Sequence, residues 1–140
     1  MQKQILLIVM IVVSVFSVGC GKNLKLSGRV YYVDDNSPVP QGTVIFSNSE
    51  YTGRAQIGKD GSYSVHSESQ GYGIPPGTYK VYLDGTDKAT VEGGGIKLEP
   101  LVDKKYVSPT TSDLTLTIDK SQKYDIPVER FSDNVSVKKK

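Results

Sequence analysis

Beyond residue 25 the apolar positions come in short alternating runs, and the clearest of them follows a proline turn. In Ile74-Pro75-Pro76-Gly77 the prolines fix φ near −65° and remove two backbone donors, so neither a helix nor an inner strand can run through them. Gly77 supplies the conformational freedom of a tight turn. Tyr79, Val81 and Leu83 then alternate with Thr78, Lys80 and Tyr82, the period of a strand with one buried face. The other apolar runs read as partners for that face.

The same period predicts strands at 26–33, 43–47, 54–57, 62–65, 78–83, 114–118 and 124–128. In the first, Leu26, Val30 and Tyr32 share a face, and Gly28 lies where another backbone can come close. Residues 34–40 carry two prolines and form a turn-rich connector. Lys59-Asp60-Gly61 is a tight turn and is expected to join the third and fourth strands as a hairpin. Residues 67–73 form a polar, glycine-rich loop. The stretch 84–112 is too long to be structureless, so 89–91 and 96–98 are read as extended pieces with Gly93-Gly94-Gly95 as the bend between them. Pro127 denies the last strand a donor and sends it to a sheet edge. No helix longer than a turn or two fits this pattern.

Seven short, turn-punctuated strands predict an all-β fold, a prealbumin-like (Ig-like) β-sandwich spanning residues 26–131. Its expected core is Leu26, Val30, Val44, Phe46, Ala55, Ile57, Tyr63, Val65, Tyr79, Val81, Leu83, Leu114, Leu116, Ile118, Tyr124 and Ile126. Tyr31, Tyr51, Tyr72, Tyr82 and Tyr106 are left for outer faces or loops. Residues 132–140 are a flexible basic tail.

Composition agrees with one domain in 140 residues. The net charge of +2 comes from the ends. Of 17 basic residues, Lys3 and Lys138, Lys139 and Lys140 are terminal, which leaves 13 against 15 acidic ones. A slightly acidic body is no nucleic-acid footprint. Cys20 is the only cysteine, so no intrachain disulfide exists.

The N-terminus has a different pattern. Lys3 precedes an apolar segment, 5–18, broken only by Ser14 and Ser17, and Gly19-Cys20-Gly21 follows. That is the order of a secretory signal, and 14 residues fall short of the ~20 that span a bilayer. Ser17-Val18-Gly19-Cys20 resembles the lipobox of bacterial lipoproteins, although position 17 is usually Leu in such boxes. The resemblance implies a signal peptide over 1–19, lipidation of Cys20 by a diacylglyceryl thioether and an N-acyl chain such as palmitate, and a tether over 20–25. Several acyl chains hold a protein on a membrane where one does not. Gly21 is not the Asp that often retains lipoproteins at the inner membrane, so the expected location is the cell envelope, outer-membrane or periplasm-facing.

A second resemblance covers most of the remaining chain. The runs beginning Leu26-Ser27-Gly28-Arg29, Val39-Pro40-Gln41-Gly42, Asp60-Gly61-Ser62-Tyr63 and Ile74-Pro75-Pro76-Gly77 resemble successive strand motifs of carboxypeptidase regulatory-like, or transthyretin-like, domains. Residues 105–116 resemble the C-terminal part of small planctomycete-type lipoproteins of this kind. The family implies an exported prealbumin-like sandwich and no established activity.

Catalytic chemistry finds little purchase. His66 is the only histidine, and alternation after Val65 puts it on the solvent side. No nucleophile elbow is present. A zinc site wants more His or Cys than the chain has. Asp34, Asp35 and Asn36, or Asp84 and Asp87 around Gly85, offer calcium-type oxygens, but acidic turn residues are ordinarily turn formers, so neither metal nor cofactor is expected. The sequence thus predicts a non-catalytic lipoprotein with an interaction or structural role, its partners the membrane through Cys20 and an envelope protein or glycan. The alternative is a carbohydrate- or peptide-binding module that uses Tyr31, Tyr51 and Tyr72.

Overall fold

The computed structural model describes residues 23–67 and 71–133. Among the described residues twelve strands form: β1 (Leu26–Tyr32), β2 (Thr43–Ser47), β3 (Thr52–Gln56), β4 (Ser62–Ser64), β5 (His66–Ser67), β6 (Gly71–Tyr72), β7 (Gly77–Asp84), β8 (Asp87–Glu92), β9 (Gly95–Pro100), β10 (Thr115–Ile118), β11 (Gln122–Lys123) and β12 (Ile126–Val128). The helical piece among the described residues is a single 3-10 turn, Lys104–Val107, in which the Lys105 amide donates to the capping Asp103 carboxylate. The chain is an all-β sandwich. The seven strands expected from the pattern correspond to β1, β2, β3, β4, β7, β10 and β12, with ends differing by up to two residues.

One sheet is built around β1. It pairs antiparallel with β4 and parallel with β11 and β12, so segments about a hundred residues apart lie side by side. The other sheet runs β10-β7-β2-β3-β5-β6, with β7 flanked by β10 and β2. Val81 faces Phe46 across the β2–β7 pair, and Tyr79 faces Leu116 across β7–β10. The proline turn does what its chemistry requires: it delivers the chain to Gly77, and β7 carries Tyr79, Val81 and Leu83 inward, all buried. Tyr79 also reaches back, its hydroxyl donating to the Pro75 carbonyl at 2.8 Å.

Fourteen of the sixteen expected core positions are buried; Leu114 and Tyr124 are half-buried at its margin. Two expectations are corrected. Asp60-Gly61 does not join β3 to β4 as a hairpin, because β4 pairs with β1 in the opposite sheet. The turn is a crossover, fastened by the Val30 amide donating to the Gly61 carbonyl at 2.8 Å, and the left-handed φ of 79° at Gly61 is what a turn glycine permits. Tyr106 is not an outer tyrosine; the 3-10 turn rolls it into the core at 4 % exposure. Ile45 alternates with inward-facing Val44 and Phe46 yet is also buried, flanked in register by Arg54 and Tyr82.

A third element stands apart. β8 and β9 pair only with each other, as a ribbon closed by the two-residue turn Gly93-Gly94 with φ of 57° and 83°. Positive φ at both positions is the turn that matches strand twist, and glycine adopts it without strain.

Candidate functional site

The ribbon is the most distinctive surface of the molecule. Its register sets Ala89 opposite Leu98, Val91 opposite Ile96 and Asp87 opposite Pro100, so these six share one face. The other face carries Lys88, Thr90, Glu92, Lys97 and Glu99. Lys97 bridges Glu92 at 3.8 Å and Glu99 at 3.4 Å there. The apolar face is uncovered, with Val91 80 % exposed, Ile96 77 % and Leu98 63 %. Three neighbouring branched side chains left in water on one element are a recognition feature; a lone exposed Leu is not.

At the base of this face lies a hollow of about 450 Å³ lined by Asp84, Gly85, Thr86, Asp87, Pro100, Val102, Lys104 and Val107. Pro100 and Asp87 belong both to the hollow and to the ribbon's apolar side. The two carboxylates read from sequence as possible calcium donors thus flank a partly apolar recess. No group of three or more metal-type ligands gathers among the described residues. A second hollow, wide and open, runs between Gln56–Lys59 and Ser62–Ser64 at the edge of the two sheets and is lined by polar and apolar groups in near-equal measure.

The other acidic turn has a structural occupation. Arg130 forks its guanidinium onto Asp34 and Asp35, each at 2.9 Å, reaches the Ser37 hydroxyl at 2.8 Å, and lies 3.7 Å over the Tyr32 ring. Hydrogen bonds from the Ser37 hydroxyl and amide, with Arg130 beside them, draw the Asp35 carboxyl down to about 2. These carboxylates therefore clamp the C-terminal segment to the β1–β2 connector and do not face an open cation site.

The sequence-predicted residues are not brought together. Tyr31, half-buried on β1 under the Arg29 guanidinium at 5.9 Å, belongs to one sheet. Tyr51, the residue before β3, packs edge-on against Tyr79 at 6.1 Å and points its hydroxyl at the Gly73 carbonyl. Gly73 adjoins Ile74, which bridges Leu24 at the start of β1, whereas Tyr31 stands near the far end of that strand. The backbone of Tyr72 lies in β6 opposite His66, which in turn pairs with Arg54. Cys20 lies outside the described residues. What sequence reasoning missed is the ribbon's exposure. Alternation in 89–91 and 96–98 signalled two strands but not that their apolar side would stay uncovered.

No family model matches the chain, and no curated protein matches it. Among solved structures it is similar to a DUF3823 family protein from Bacteroides ovatus, at 18% identity and a TM-score of 0.47 over 78% of this chain and 45% of that one. A DUF3823 family protein from Parabacteroides merdae aligns at 16% identity and a TM-score of 0.41, over 79% of this chain and 47% of that one. A 9R-lipoxygenase from Cyanothece aligns at 12% identity and a TM-score of 0.33, over 75% of this chain and 16% of that one. The chain spans less than half the length of these structures.

Proposed function

We propose that this chain is a non-catalytic cell-envelope lipoprotein, a β-sandwich tethered through lipid on Cys20 that presents an interaction surface away from its anchor. The observation that carries this reading is the placement of the two ends of β7. Leu24, the first residues' point of attachment, bridges Ile74 beside the Gly77 end of that strand, with amide–carbonyl bonds of 2.8 Å in both directions. The exposed ribbon departs from the Asp84 end. Seven residue steps separate them, roughly 23 Å at strand rise. A tether at one end and an uncovered apolar ribbon rooted at the other suit a protein held on a membrane to meet something else. Kinship with carboxypeptidase regulatory-like domains belongs to the same proposal and is supported by the order of strand motifs around β1, β2, β4 and β7.

Binding of a glycan or peptide through Tyr31, Tyr51 and Tyr72 draws less support, because Tyr31 lies on β1 whereas Tyr51 precedes β3 and lies toward the opposite end of β1. The anchor is tested directly. Wild-type protein is expected to incorporate labelled palmitate and to fractionate with membranes. Cys20→Ala is expected to lose the label and keep its leader. Palmitate incorporation by Cys20→Ala, or none by the wild type, would reject the anchor.

A further inference from the structure

We propose that the free edge of β8 pairs antiparallel with β8 of a second copy, joining two ribbons into one four-stranded sheet about a two-fold axis at Thr90. Neither edge of the ribbon has a further strand among the described residues, and β8 is the edge without a proline. The Asp87 carbonyl accepts the Gln41 side-chain amide, which lies outside the ribbon, and its opposite number Pro100 has no N–H to offer. Asp87 therefore turns its polar backbone outward, and by the alternation of antiparallel pairs so do Ala89 and Val91. The edge of β9 ends on Pro100, and its base is flanked by the C-terminal segment, where Val102 bridges Arg130 and the Phe131 amide donates to the Leu101 carbonyl.

The sequence of β8 is self-complementary. In Lys88-Ala89-Thr90-Val91-Glu92, antiparallel pairing about Thr90 sets Lys88 opposite Glu92 of the partner subunit, twice over. Ala89 meets the partner's Val91, and Thr90 meets the partner's Thr90. Opposite charges and threonine pairs across a ladder are favourable, and no like charges oppose. Asp87 comes opposite the partner's Gly93. A shift of two residues either way loses both Lys–Glu pairs, and a shift of one turns the apolar faces to opposite sides. Lys88 makes no ion pair among the described residues, although Lys97 on the same face makes two. The pairing brings both apolar faces to one side and lays exposed Val91 against the partner's Ala89. Because the strands run antiparallel, the two sandwiches sit at opposite ends of the joined sheet. The contact is isologous, as a closed dimer requires.

The pairing rests on the ribbon and not on the lipid anchor, so its failure would leave palmitate labelling at Cys20 untouched. The test uses the full-length chain purified in detergent. Thr90→Cys places two thiols across the axis with Cα atoms about 4.5 Å apart, within disulfide reach. Lys97→Cys places them about 14 Å apart, three strand spacings away. Under mild oxidation Thr90→Cys is expected to run as a disulfide dimer on non-reducing gels, while Lys97→Cys and the wild type stay monomeric. In the Thr90→Cys background, Lys88→Glu or Glu92→Lys alone should cut the dimer fraction several-fold, and the two together should restore it. Circular dichroism checks that each variant folds; the altered side chains are exposed or half-exposed. Crosslinking of Thr90→Cys no greater than that of Lys97→Cys would overturn the pairing. So would charge reversals that leave the crosslink unchanged, or a double reversal that fails to restore it.

Discussion

Among the described glycines, Gly28 is the one most closely approached by other backbone. A Cβ built on it would stand 1.9 Å from the Tyr124 carbonyl oxygen and 3.0 Å from the Tyr63 hydroxyl. The obstruction is backbone, which cannot swing aside, and Tyr124 is held there by its own amide donating to the Ser27 carbonyl at 2.8 Å. The Tyr124 carbonyl also accepts from the Tyr63 hydroxyl, and burial pushes that phenol's pKa upward, so it remains a donor at any ordinary pH. Gly28→Ala therefore forces β1 off the C-terminal segment. The expected cost is about 3 kcal/mol, at the upper end for overpacking. Gly95→Ala provides the contrast: its Cβ meets nothing closer than 3.8 Å and its φ is not left-handed, so the change should stay within about 0.5 kcal/mol. Urea unfolding of both variants measures the difference, and equal losses would mean that the close approach does not matter. The glycine's role was legible in the sequence because it interrupts an apolar face. That it is Tyr124 which comes close was not, since Tyr124 lies 96 positions further along the chain.

At the level of elements, the ribbon and the sandwich follow different rules. The sandwich strands bury one face; β8 and β9 bury neither, and a lone two-stranded hairpin is marginal in water. The ribbon is held by its glycine turn and the Lys97 bridges, and by its base, where the Leu101 amide donates to the Thr86 carbonyl at 3.0 Å. That bond brings the two ends of the insertion side by side. Replacing residues 87–100 by Gly-Gly is therefore expected to leave the sandwich folded, with its melting temperature moved by no more than about 3 °C. Thermal circular dichroism reads this, and a drop of tens of degrees would show that the ribbon supports the core. The sequence signalled both strands and their bend through alternation and three glycines. Alternation reports that one face is apolar; it is silent on what covers that face. The Asp60-Gly61 turn has the same limit. Its residues specify a reversal, and whether the next strand stays in the sheet or crosses depends on β1, some thirty residues upstream. Tyr106 was hidden for a related reason, because its burial comes from the Asp103-capped turn and not from any period. Cys20 shows the reverse case, readable from its sequence context and lying outside the described residues.

For the whole molecule, the decisive contacts join the two ends of the domain. β1 receives Gln122–Lys123 and Ile126–Val128 in parallel register, and the Val33 amide adds a bond to the Val128 carbonyl at 3.0 Å. The Arg29 amide takes the Asp125 carboxylate at 3.0 Å, and Arg130 clamps Asp34 and Asp35. Neither end can complete the β1 sheet alone, and both sheets face a single core that contains Ile126 from one and Phe46 from the other. Such a domain should unfold as one unit. Ile126→Ala removes a fully buried side chain next to Val30 in the ladder and should cost about 2–5 kcal/mol. Because the core is shared, the loss should not stay in the β1 sheet. Tyrosine fluorescence, which samples Tyr79 in the far sheet and Tyr63 in the near one, should move with far-UV circular dichroism in a single shifted transition. Two separated transitions in the variant would mean that the β7 sheet stands without its partner, and the sandwich would then be two structures in contact instead of one.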